Sequence, residues 1–162
     1  LGGPQAGIAI GKANLVEKMR KHPLFRALRA DKLCLSALEE TLKVYLRGRA
    51  VAELPVWQMI SRSKDSIRMQ AEYLCSQLDG FELLDGFSTV GGGSLPEESL
   101  PTTLLAHRGR AEKLQKLLRE GNPAVIGRIE KDTLLIDLRT IQPEEESTLL
   151  RALRIALVKL KR

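Results

Sequence analysis

The chain has 162 residues, 43% hydrophobic, 28% charged and only 4% aromatic, with a net charge of +6. That length supports one or two modest domains with a buried core, and the composition excludes disordered, collagen-like and repeat architectures, while no apolar run approaches the roughly 18–20 residues of a membrane span. The charge falls in blocks of +6 over residues 1–50, −5 over 51–100 and +5 over 101–162, a pattern that fits either attraction to polyanions such as RNA or an ordinary solvated surface.

Leu1 is followed by Gly2-Gly3-Pro4-Gln5-Ala6-Gly7 with no initiator methionine, the start expected of a chain cut inside a larger protein. Ala6–Ile10 reads as a short strand and Ala13–Lys21 as a helix with Leu15, Val16 and Met19 inward. Pro23 suits the first turn of a helix because its missing N–H has no partner there, so Pro23 to about Ala30 reads as a short helical segment. From Asp31 to Arg47 the polar positions Lys32, Ser36, Glu39, Glu40, Lys43 and Arg47 form one narrow stripe, which predicts a helix buried on most sides. The rest of the chain looks too small to cover it, a second sign of missing protein.

Gly48–Pro55 reads as a linker. Ser63 is a plausible N-cap for a helix to about Leu78, with Ile67, Ala71, Leu74, Cys75 and Leu78 on one face. Phe81–Leu84 and Thr102–Ala106 read as strands separated by an irregular loop at Gly91-Gly92-Gly93-Ser94-Leu95-Pro96. Ala111–Glu120 is a helix with Leu114, Leu117 and Leu118 inward, closed by Gly121 at C′. Val125–Glu130 and Thr133–Leu138 form a hairpin about Lys131-Asp132, with Leu134, Ile136 and Leu138 on one face and Leu135, Asp137 and Arg139 on the other. The last helix starts near Pro143 and buries Leu149, Leu153, Ala156, Leu157 and Leu160. The expected fold class is α/β, a two-layer α+β domain with an antiparallel sheet and helices on one face. Residues 1–48 are expected as a separate piece that does not close on itself, and 49–162 as a small C-terminal domain.

Two arginines carry the most chemistry. On a helix Arg26 and Arg29, three apart, share a face, and two planar guanidinium forks can converge on one oxyanion; two solvated arginines is the plainer alternative. The Gly2-to-Gly7 turn offers either a backbone N–H nest for an anion or a simple tight turn. His22 and His107 have no partner at metal-ligand spacing, so no metal site is expected. Cys34 and Cys75 are far apart, form no Cys-x-x-Cys pair and sit on apolar helix faces, which argues against a disulfide or zinc site and for a reducing cytoplasm. Arg128 and Arg139 either face a cleft or pair with acidic neighbours such as Glu130 and Asp137. The basic last helix either touches RNA or packs on the sheet with a charged outer face.

Four ordered motifs carry a resemblance: Leu1-Gly2-Gly3-Pro4-Gln5-Ala6-Gly7-Ile8; His22-Pro23-Leu24-x-Arg26-Ala27-Leu28-Arg29-Ala30-Asp31-Lys32; Gly92-Gly93-Ser94-Leu95-Pro96; and Val125-Ile126-Gly127-Arg128-Ile129 with Leu135-x-Asp137-Leu138-Arg139-Thr140. Together they resemble the C-terminal part of bacterial selenocysteine synthase, the L-seryl-tRNA(Sec) selenium transferase family of fold-type I pyridoxal 5'-phosphate (PLP) enzymes. The resemblance implies that residues 1–48 are the tail of the large PLP domain plus a linking helix. It implies conversion of seryl-tRNA(Sec) to selenocysteinyl-tRNA(Sec) by loss of water and addition of selenium from selenophosphate, with PLP as electron sink. By the same analogy Arg26 and Arg29 bind the selenium donor, and Gly3, Gln5 and Gly7 approach the PLP phosphate. The Schiff-base lysine is expected just upstream of Leu1, because Lys12 lies on the wrong side of the turn, so this chain alone is expected to be inactive. A cytoplasmic homo-oligomeric ring, bound to tRNA(Sec) and not to a membrane, is also implied. Two alternatives remain at this point: a related PLP lyase or aldolase acting on a small phosphorylated substrate, and a non-catalytic basic RNA-binding module.

Overall fold

A computed structural model describes residues 2–90 and 99–161. The chain divides into two units, Leu1–Gln58 and Met59–Arg162. The Gly91-to-Pro96 loop, and with it one of the four motifs, lies outside the described residues.

The first unit is helical: α1 is Ala13–Lys21, α2 Leu24–Ala27, α3 Lys32–Leu46 and α4 Ala50–Glu53, and α5, Pro55–Ser61, begins in it. α1 has the expected bounds. α3 starts where Asp31 Oδ1 accepts the Cys34 N–H at 2.9 Å, an N-cap that satisfies one of the orphan donors of the first turn. Two expectations are corrected here. Ala6–Ile10 is no strand: it joins no ladder among the described residues, and Ile10 is 93% exposed. The stretch after Gly48 is helical rather than a plain linker; Gly48, at φ +68°, ends α3 in the left-handed conformation that glycine adopts most readily, and α4 and α5 follow. The wide apolar face of α3 is left largely open, in line with the expectation that the rest of the chain is too small to cover it: Thr41 is the helix's sole buried residue, and Leu33 and Leu46 are 83% and 87% exposed. Cys34, Leu38, Val44 and Tyr45 on the same helix are half-buried.

The second unit is built on a sheet of four antiparallel strands in the order β1-β2-β4-β3, with β1 Phe81–Thr89, β2 Ser99–Arg108, β3 Arg128–Glu130 and β4 Thr133–Asp137. β1 and β2 run longer than their apolar cores suggest, and β3 and β4 are shorter. Leu83 faces Leu105, Leu105 faces Ile136, and Ile129 faces Leu134 across the ladders. Period-two alternation sends Leu105, Leu134 and Ile136 to one face. There they meet Ile67, Ala71 and Leu74 of α6 (Lys64–Ser76), Ala111, Leu114 and Leu118 of α7 (Ala111–Arg119), and Leu149, Leu153, Ala156, Leu157 and Leu160 of α8 (Glu146–Leu160). All five positions foreseen for the α8 face are buried. Each such leucine or isoleucine contributes roughly 1.5–3 kcal/mol by leaving water. Ser63 caps α6 as expected, its Oγ accepting the Ser66 N–H at 3.2 Å. Leu104, Ala106 and Leu135 form a smaller cluster on the other face. The two-layer α/β reading therefore holds for this unit.

Candidate functional site

The two arginines singled out by the sequence lie in and just after α2. His22 Nδ1 accepts the Leu24 N–H at 3.3 Å, so this histidine opens the helix, as the sequence suggests. α2 ends at Ala27, and Leu28 (φ −94°, ψ 8°) has already left helical geometry. Arg26 therefore projects from the helix while Arg29 belongs to the connection into α3, and the shared helical face inferred from their spacing is not formed. Both are exposed, and among the described residues neither side chain makes a hydrogen bond or ion pair. Two guanidiniums within three positions, each with its donors turned to solvent, can bind a tetrahedral oxyanion by charge-assisted hydrogen bonds. Nearby, Lys18, Met19, His22, Leu24, Phe25 and Leu28 line an open apolar depression.

The glycine-rich turn is explained in part by packing. Gly2 sits at φ +81°, and a Cβ there would come 2.6 Å from Val56 Cγ1. A Cβ on Gly3 would overlap Thr41 Oγ1 and lie 3.0 Å from the Thr41 Cβ, with that hydroxyl already donating to the Ala37 carbonyl at 2.9 Å. These two glycines let the turn lie close on helices of the same unit. Gly7 differs: nothing lies within 4 Å of where its Cβ would be. The Gln5 carbonyl accepts only a long contact of 4.0 Å from Cys34 Sγ. Of the three candidates for a cofactor phosphate, Gly3 is closed by Thr41, while Gly7 leaves open backbone. These residues do not by themselves make a PLP site.

Elsewhere the candidates have structural roles. No cluster of three or more histidines, cysteines or carboxylates suited to a metal occurs among the described residues. Both cysteines are free; Cys75 Sγ donates to the Phe81 carbonyl at 3.3 Å, and burial together with the nearby Glu82 carboxylate pushes its thiol pKa up. The His107 ring stands edge-on to Phe81 at 5.3 Å. Arg128 pairs with Glu130 at 2.8 Å and donates to the Phe87 carbonyl at 3.3 Å. Arg139 is 5% exposed and faces no cleft. Asp137 anchors the polar network around it, accepting from Ser88 Oγ at 2.5 Å, Thr102 Oγ1 at 3.0 Å and the Arg139 N–H at 3.0 Å. Arg128 thus has the acidic partner expected, though within its own strand rather than across the ladder, while the Arg139 guanidinium bonds Ser88 Oγ and backbone carbonyls and pairs with no carboxylate. Sequence reasoning missed Arg62, whose donors reach the Leu138 and Ile141 carbonyls at 2.6 and 3.0 Å; a lone arginine before a helix cap carries no periodic signal.

The basic α8 buries its apolar face in the main core cluster and keeps Arg151, Arg154 and Lys159, with Lys161 just beyond the helix, outside. No described helix is long and apolar enough to cross a membrane.

A family model described as SelA: L-seryl-tRNA selenium transferase matches residues 1–142. Among similar proteins, the L-seryl-tRNA(Sec) selenium transferase of Geotalea daltonii is 44% identical over 165 residues, covering 95% of this chain and 36% of that protein. The proteins of the same name from Aquifex aeolicus and Escherichia coli O45:K1 are each 41% identical; the matches cover 95% and 90% of this chain and 36% and 34% of those proteins. The chain thus spans about a third of the length of the curated relatives it matches.

Proposed function

The chain belongs to the L-seryl-tRNA(Sec) selenium transferase family, and on that premise we propose that it is the C-terminal part of an enzyme that converts seryl-tRNA(Sec) to selenocysteinyl-tRNA(Sec). In that reaction the seryl hydroxyl leaves as water, selenium from selenophosphate bonds to the same carbon, and cleavage of the P–Se bond by water releases phosphate. PLP, the cofactor of this family, supplies the electron sink when bound. Residues 49–162 are then the small domain of a fold-type I enzyme, and residues 1–48 the end of its large domain and a linking helix. The working assembly is a cytoplasmic homo-oligomer that binds the charged tRNA.

Within this chain Arg26 and Arg29 receive the selenium donor. The supporting observation is that both guanidiniums are exposed and unpaired among the described residues, inside a family match that covers residues 1–142. Their donors suit the three terminal oxygens of selenophosphate, and they stay charged at any working pH. The open backbone at Gly7, with Gln5 beside it, is the part of the turn suited to a cofactor phosphate; Gly3 serves the turn's packing on Thr41.

The test uses the full-length enzyme. Arg26→Ala and Arg29→Ala should each raise the KM for selenophosphate by about ten- to a hundredfold, the range expected when a charged hydrogen bond is lost, while tRNA affinity stays within about twofold. Equal loss of donor use and tRNA binding would assign these arginines to RNA or to structure instead. Absence of any selenocysteinyl-tRNA product from the wild-type enzyme would remove the selenium-transfer reading and leave a PLP enzyme acting on another phosphorylated substrate. The attachment lysine is placed outside residues 1–162, so this chain mixed with PLP should show no borohydride-fixed adduct concentrated at one lysine; a single-site adduct would refute that placement.

A further inference from the structure

Two arginines far apart in sequence cap each other's helical turns. Arg62 immediately follows α5, whose last carbonyls have no partner within the helix. Arg139 reaches those carbonyls: its Nη1 donates to Met59 O at 3.1 Å, Ile60 O at 3.4 Å and Arg62 O at 2.7 Å. Arg139 itself sits in the 3-10 turn Leu138–Thr140 that ends β4, and Arg62 serves that turn in return. Arg62 Nη1 donates to Leu138 O at 2.6 Å and to Ile141 O at 3.0 Å, and its Nη2 to Gln70 Oε1 at 2.6 Å. The remaining donors of Arg139 go to Pro101 O at 2.7 Å and Ser88 Oγ at 3.0 Å.

The charge arrangement is lopsided. Burial lowers the pKa of both guanidiniums, Arg139 also lowers that of Arg62, and Asp137 opposes the shift in each, with Glu146 adding to it at Arg62. Most of the compensation therefore comes from carbonyl dipoles, and those are correctly placed only while Met59–Arg62 and Leu138–Ile141 lie side by side. Residues Met59–Ser66 supply no buried member of the main apolar cluster, whose first residue in chain order is Ile67. This stretch is held by polar contacts that can be broken without opening a cavity in the core.

We propose that Arg62 and Arg139 form a reciprocal latch that fastens the end of α5 to the sheet of the second unit, and that the latch opens as a local step separate from unfolding of the apolar core. Arginine is required at position 139 because one planar fork spans acceptors from three chain segments, which a lysine ammonium cannot do. Unlike surface ion pairs, such a site resists salt, since its acceptors are backbone carbonyls.

Hydrogen–deuterium exchange on the full chain tests this directly. In Arg139→Gln and in Arg139→Lys, exchange of the Met59–Arg62 amides should speed up about tenfold or more, while the Thr103–Ala106 amides of β2 keep their wild-type rates. Arg62→Gln should do the same to Leu138–Ile141. If Arg139→Gln alone lowers protection throughout the second unit, Arg139→Lys still decides: local opening supports the latch. Unchanged exchange at Met59–Arg62 in both Arg139 variants would overturn it, and so would equal loss of protection in β2 and Met59–Arg62 in both, because the arginine would then be part of the cooperative core.

Discussion

Gly127, between α7 and β3, has no room for a side chain: a Cβ would come 2.7 Å from the Leu135 carbonyl oxygen and 2.8 Å from Leu134 Cδ1. Its N–H donates to Gln115 Oε1 at 2.9 Å, so the backbone cannot shift away without breaking a half-buried bond. Gly127→Ala should therefore cost about 1–3 kcal/mol, the usual penalty of overpacking, while Gly7→Ala, in open space, should leave the urea midpoint unchanged. Comparable losses at both sites would show that glycine flexibility, not contact, governs them. Cys75 gives a prediction with a sign. Its folded pKa lies above the ordinary thiol value, so the protonated thiol is favoured in the folded state and stability is retained below the unfolded thiol pKa. It should fall as pH rises through the folded pKa, and Cys75→Ala should remove that part of the alkaline decline. Denaturant midpoints across neutral to alkaline pH check this; identical slopes in the two proteins would rule it out. Neither residue's neighbours were visible in the sequence. A glycine in Val125-Ile126-Gly127-Arg128 signals a close approach without saying to what, and Cys75 was legible only as a core-facing position.

At the scale of elements, the β3–β4 hairpin shows where sequence patterning succeeds and where it stops. The alternation of Leu134 and Ile136 against Leu135 and Asp137 fixed the faces correctly, because period two is a property of the strand itself, whereas Leu138 and Arg139 lie in the 3-10 turn that follows. Strand length was less legible: Val125–Gly127 is held outside the ladder by Gln115, a tertiary contact that no local pattern records. The turn at Lys131-Asp132 places both residues in the left-handed region, at φ 48° and 54°, where glycine or asparagine is more usual. Asp132 has a second task. Its Oδ1 accepts the Ala111 N–H at 3.1 Å and its carbonyl accepts the Gly109 N–H at 2.9 Å, so a residue 21 positions away caps α7. Lys131→Gly should consequently stabilise the second unit by about 1 kcal/mol through relief of left-handed strain, whereas Asp132→Ala should destabilise it by about 1 kcal/mol or more through loss of the cap. Thermal melts distinguish these outcomes. Stabilisation by both substitutions would mean that the cap contributes nothing to the folded state.

For the whole molecule, burial is divided unequally between the two units. The second carries an apolar cluster drawn from three helices and the sheet, while the first has, among its described residues, only Leu54 and Thr41 buried and leaves Ile10, Leu28, Leu33 and Leu46 largely in water. A helix as apolar as α3 is suited to a covered position, and its periodicity was readable because it reflects the surroundings that the sequence fits. The covering surface was not readable, because it is not among the residues described. The curated relatives are about three times as long as the matched stretch. Backbone protection should follow this division. α3 and α7 make a matched pair, since Lys43 in one and Lys116 in the other are both substantially exposed, but α7 buries Ala111, Leu114, Gln115 and Leu118 and α3 only Thr41. Cleavage requires local unfolding, so trypsin should cut after Lys43 at least about tenfold faster than after Lys116 in this chain. In the full-length enzyme the Lys43 site should slow to the rate at Lys116 or below, because covering the apolar face raises the cost of opening the helix. Equal rates at the two sites in the chain alone would show that α3 holds its structure without that cover, and an unchanged fast rate in the full-length enzyme would show that its apolar face stays in water there as well.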